Sequence, residues 1–149
     1  MQNDEQREEI RLEQDASSVV YWNGKGAIQM GKYIIARSKS GFRFNLLALN
    51  GQIIGSSEVY TAKISCLTGI ESVRRNAPTA PLADLSAGNT AALPCPRFEL
   101  YTDRAGAYRF RLRARNGKII LVGEGYARKD GCLKGIESVR KNADSPVEE

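Results

Sequence analysis

The sequence contains no histidine, so the commonest general base and the commonest metal ligand are both missing. Cysteine is scarce and odd in number: Cys66, Cys95 and Cys132, with no Cys-x-x-Cys pair among them. No apolar run approaches the ~20 residues that a membrane helix needs, and no membrane partner is expected. Met1 to Asp15 is polar and charged, unlike a secretory signal. Nucleophile and metal motifs are absent as well, so no catalytic residue, metal site or cofactor is assigned. These gaps point away from an enzyme and toward a soluble, cytoplasmic protein with a binding or scaffolding role.

What is present is ordinary in amount and unusual in arrangement. The 149 residues fit one domain or two very small ones, with 42% hydrophobic and 26% charged residues. A chain of this size buries roughly 68–70% of its unfolded surface, enough for a core without staples. The net charge of +5 hides a polarity. Acidic residues crowd the first fifteen positions and return at Glu148 and Glu149, while basic ones concentrate toward the second half. An acidic partner, nucleic acid included, is compatible with that distribution.

The main organising feature is a repeat. Gly69-Ile70-Glu71-Ser72-Val73-Arg74-Arg75-Asn76-Ala77 returns as Gly135-Ile136-Glu137-Ser138-Val139-Arg140-Lys141-Asn142-Ala143. Aligning outward from it divides the chain into an extension (1–31), a first unit (32–78), a linker (79–96), a second unit (97–144) and an acidic tail (145–149). Each unit opens with a short strand and a glycine-containing turn. A strand of alternating pattern follows: Phe44, Leu46 and Ala48 in one unit, Phe110, Leu112 and Ala114 in the other. Asn50-Gly51 and Asn116-Gly117 predict type I′ hairpin turns leading to a third strand. The period then becomes helical, with stripes Leu67, Ile70, Val73, Ala77 and Leu133, Ile136, Val139, Ala143. Each unit is thus β-β-β-α. The linker, rich in Pro, Ala, Gly and Ser, reads as flexible. The spacing Gly26 to Lys32 mimics a phosphate loop, but Tyr33 replaces its Ser or Thr and a strand replaces its helix, so the match is rejected.

The sequence Cys-Leu-x-Gly-Ile-Glu-Ser-Val-Arg-x-Asn-Ala, preceded by an Asn-Gly hairpin and Glu-x-Tyr, resembles the YegP-like domain of unknown function. Both units carry it, over Lys32–Ala77 and Arg97–Ala143. The resemblance implies an α+β fold: two tandem β-β-β-α repeats sharing one antiparallel six-stranded sheet, with two helices packed on one face. It implies a monomer that is internally a pseudo-dimer, and no activity. Elementary stability agrees, because three strands and one helix are thin on their own.

Several duplicated polar residues invite a catalytic reading: Glu58/Glu124, Tyr60/Tyr126, Lys63/Lys129, Glu71/Glu137. The simpler reading is structural, as helix-end charges and helix-surface ion pairs. Gly69 and Gly135, costly in mid-helix, would let the helix lie close to the sheet. Cys66 and Cys132 read as small buried hydrophobes.

The units differ on the other sheet face. The second presents Arg109, Arg111, Arg113 and Arg115, with Tyr108 and Tyr101 as stacking partners, a surface suited to single-stranded nucleic acid. The first presents Ile34, Leu47 and Leu49, an apolar patch expected to be an interface with a protein partner. Val19 to Trp22 is expected to cover that patch and add an edge strand.

Overall fold

The structure, a computed structural model, describes residues 8–12, 15–22, 27–88 and 93–149, with side chains from Gly31 onward. Three strands, β1 (Glu8–Leu12), β2 (Asp15–Trp22) and β3 (Ala27–Met30), form an antiparallel sheet of their own in the order β1-β2-β3. The first repeat supplies β4 (Lys32–Ser38), β5 (Gly41–Leu47), β6 (Ile53–Ser56) and α1 (Lys63–Asn76). After β7 (Leu82–Asp84) and a short 3-10 turn, the second supplies β8 (Arg97–Thr102), β9 (Tyr108–Arg113), β10 (Ile119–Val122) and α2 (Lys129–Asn142), with β11 (Val147–Glu148) last.

Six of these strands build the expected antiparallel centre, β4-β5-β6-β10-β9-β8, joined by pairing of Val122 with Ser56. The sheet is nevertheless mixed and eight-stranded, because a parallel strand is added at each edge: β11 on β4 and β7 on β8. Each repeat's C-terminal extension therefore pairs with the other repeat's first strand. The tail and part of the linker are consequently docked segments, with Ser145, Ala80 and Ala83 buried. β11 also occupies the edge beside β4 that Val19–Trp22 was expected to extend. That segment pairs instead with β1 and β3.

Both helices lie on one face, over a core of duplicated pairs: Phe44 and Phe110, Leu46 and Leu112, Ile70 and Ile136, Val73 and Val139. Burial of this apolar surface is the main stabilising term. The helical stripe is rotated slightly from its expected position. Cys66 and Cys132 are fully buried, Leu67 is half-buried and Leu133 is 36% exposed. Glycine explains the rotation. A Cβ on Gly69 would stand 2.5 Å from the Tyr60 hydroxyl, and Gly135 meets Tyr126 in the same way. Each helix thus rests directly on a tyrosine edge.

The Asn-Gly turns are not type I′, which would need positive φ at asparagine as well as glycine. Only Gly51 (φ 85°) and Gly117 (φ 86°) are left-handed. Gly51 N donates to Ala48 O at 2.9 Å and Gln52 N to Asn50 Oδ1 at 3.0 Å, a three-residue hairpin whose glycine absorbs a bulge. The helices open at Ala62 and Arg128 without a capping side chain, so Glu58 and Glu124 do not serve as caps.

Candidate functional site

The duplicated polar residues hold the two repeats together. Arg74 Nη2 donates to Ser145 O at 2.6 Å, beyond the end of α2, and Arg140 Nη1 donates to Ala77 O at 3.2 Å, at the end of α1. Each arginine thus places its charge at the negative end of the opposite helix. Each also lies over an aromatic ring on the first strand of its own repeat: Arg74 5.5 Å from Tyr33 and Arg140 4.9 Å from Phe98. Glu71 and Glu137 are their ion partners one turn back. The Tyr33 hydroxyl donates to Ala143 O at 2.7 Å. Lys129 meets Asp84 at 2.5 Å and Lys63 meets Glu149, so each lysine fastens the strand that the opposite helix sends across. Of the residues that could be read as an acid–base set, Lys63/Lys129 and Glu71/Glu137 thus join Arg74/Arg140 in a reciprocal clasp, whereas Tyr60 and Tyr126 lie beneath the helix glycines of their own repeats.

On the sheet face away from the helices, the arginine row is already partnered. Glu99 sits at its centre, 2% exposed. Arg97 Nε donates to its Oε2 at 2.8 Å, while Arg111 Nε (2.6 Å) and Arg113 Nε (2.9 Å) share Oε1. Burial alone would raise this carboxyl's pKa. The Arg111, Arg113 and Arg97 hydrogen bonds, with the Arg111 charge, overcome that and bring it from 4.5 to about 2. Arg109 is held by Asp103 at 2.7 Å, and Arg113 also donates to Gly117 O at 2.9 Å. Arg111 stacks on Tyr101, 4.4 Å from the ring centroid. Arg115, in the turn after β9, is exposed. Tyr108 does not belong to this surface. It alternates with Arg109, so it shares the core-facing side of β9 with Phe110 and packs against the core.

The first repeat brings Ile34, Leu47 and Leu49 together around a shallow hollow of about 120 Å³. All three are half-buried. The Trp22 side chain lies outside the described residues, so its expected place over this patch is not addressed. Glu99 is the functional-looking residue that sequence reasoning passed over. Strand pairing would have revealed it, because Glu99 lies directly opposite Arg111.

The third feature is an open groove of about 720 Å³ where the end of α1, the segment before β8 and the β9–β10 turn meet. Ser72, Arg75, Asn76, Cys95 and Arg115 reach its wall. Cys95 is half-buried there, whereas burial pushes the Cys66 thiol up and, with Asp84 adding, the Cys132 thiol up to about 11. Among the described residues no group of three His, Cys, Asp or Glu side chains could hold a metal ion. No helix among them is long and apolar enough to cross a membrane.

A family model described as domain of unknown function (DUF1508) matches the chain twice, at residues 38–84 and 103–149. The chain belongs to this family. Its match windows run to the last residue of β7 and to one residue past β11, so the crossing strands fall inside the family pattern. A UPF0339 protein of Methanosarcina acetivorans is 62% identical over 47 residues, which cover 32% of this chain and 81% of that one. The UPF0339 protein YegP of Yersinia pestis is 36% identical over 119 residues, covering 79% of this chain and 93% of the relative. Among solved structures, the solution NMR structure of the protein of unknown function yegP from E. coli superposes with a TM-score of 0.67 at 34% identity. That match covers 83% of this chain and 95% of yegP.

Proposed function

We propose that this family member is a non-enzymatic protein-interaction module whose contact surface is the outer face of the central sheet. One observation carries the reading. Core positions are duplicated almost residue for residue, whereas the outer face holds Ile34, Leu47 and Leu49 on one repeat and Glu99, Arg113 and Arg115 at the aligned positions of the other. The shared fold accounts for the core residues but does not require that divergence. The buried Glu99 holds its arginines in one geometry, lowering the ordering cost of contact with an acidic partner surface. The clasp gives the duplicated pairs Lys63/Lys129, Arg74/Arg140 and Glu71/Glu137 structural roles, which leaves little to assign to catalysis.

A photo-crosslinking amino acid placed at position 47 or 113 tests the reading in cells. The expected result is one discrete adduct from each outer-face position, weakened by Arg113→Glu or Leu47→Asp respectively at the other site, and none from position 134 on α2. Equal labelling from all three positions overturns it. Nucleic-acid binding through residues 109–115 has weaker support, because Glu99 and Asp103 already engage Arg109, Arg111 and Arg113. A labelled single-stranded oligonucleotide titrated at two salt concentrations decides that alternative. Saturable binding that falls steeply with salt and is lost on Arg→Ser substitution at 109, 111 and 113 would put nucleic acid first.

A further inference from the structure

The duplication supplies an internal control for the groove at the end of α1. In one half of the molecule the corresponding corner is closed: Gly31 N donates to Asn142 Oδ1 at 2.9 Å, and Gly31 lies against the Leu47 carbonyl. In the other half the position aligned with Gly31 is Pro96, which has no N–H to give. Asn76, the counterpart of Asn142, therefore lacks that contact. Its Nδ2 donates to Ser72 Oγ at 3.1 Å, and among the described residues no donor meets its Oδ1. The corner on the Asn76 side opens instead into the groove of about 720 Å³. The two corners differ in charge too. Arg115 stands where the closed corner has Leu49; Arg75 lines the same groove, and none of the described residues that line it is acidic.

We infer that this groove is a binding site for a small hydroxylated organic anion, carrying a carboxylate or a phosphate. Its volume lies in the range of small-molecule sites. Arg75 and Arg115 supply forked donors suited to either acid group. The Asn76 carboxamide oxygen accepts from a ligand hydroxyl, and Pro96 and Ala114 offer apolar wall to the carbon body. The site shares Arg115 with the outer face but does not depend on the outer-face reading.

The test is a titration of the full, ¹⁵N-labelled chain with glycerol 3-phosphate and with glycerate, followed by NMR, with sodium chloride at matched ionic strength as control. Saturable shifts are expected at residues 72–79 and 114–117, with the closed corner around residues 138–142 and 48–51 unmoved. Arg75→Gln and Arg115→Gln each weaken binding about tenfold or more. Both residues are exposed, so a preserved spectrum separates lost binding from lost folding. A response to only one probe assigns the acid group as carboxylate or phosphate. The inference is overturned if neither probe gives saturable shifts, if both corners respond alike, or if the variants bind as the native chain does.

Discussion

At the scale of single residues, Glu99 has the largest effect predicted from the structure. Its carboxylate is buried among three arginines, and removing one member of such a group leaves like charges facing one another without their counter-ion. Glu99→Gln should lower unfolding free energy by about 3 kcal/mol, read from urea denaturation at neutral pH. The same residue sets a pH dependence. Its folded pKa of about 2 lies below the ordinary carboxyl value, so its contribution is fully present above roughly pH 5 and is lost as pH falls toward 2. The native chain should therefore lose stability over that window more steeply than the Gln variant; parallel curves would show that Glu99 does not drive the loss. Strand alternation puts Glu99 and the arginines on one face but does not show that they meet. Side-chain alternation assigns faces, whereas contact depends on register across strands that the sequence does not specify. Alternation also places Tyr108 with Phe110 on the core side, away from the arginines.

At the scale of elements, the two short edge strands decide how the repeats are joined. Tyr33 N donates to Pro146 O at 2.8 Å and Phe98 N to Pro81 O at 2.8 Å, each at the entry to a crossing strand. Deleting residues 145–149 removes one crossing, the Ser145 acceptor of Arg74 and the Glu149 partner of Lys63. A loss on the order of 2–3 kcal/mol is expected from a few net hydrogen bonds, together with faster hydrogen exchange at Tyr33 and Ile35. Unchanged exchange at those amides would mean that the crossing strand contributes little. The central strands and helices were legible because each carries several turns or alternations of hydrophobic period. β7 and β11 were not, since two or three residues carry no periodicity and their partners are distant in sequence. Their proline-rich and acidic composition pointed to linker and tail instead. The separate sheet formed by β1, β2 and β3 was missed for a related reason: Glu5–Asp15 is rich in helix formers, and pairing with β2 outweighed that propensity in β1.

At the scale of the molecule, neither repeat is complete without the other, since each gives its helix terminus and last strand to its neighbour. The second repeat alone, residues 93–149, should therefore populate a dimer of about twice its monomer mass by light scattering, with its last strand crossing to the other copy. A folded monomer at micromolar concentration would show that one unit can satisfy itself. The covalent link between repeats also changes stoichiometry. Two identical copies related by a twofold axis must display every surface twice, so whatever binds one copy has a second, equivalent place to bind. Here, among the described residues, the arginine cluster belongs to the second repeat alone and the apolar patch to the first alone, so a ligand recognising either of them would meet this chain one to one.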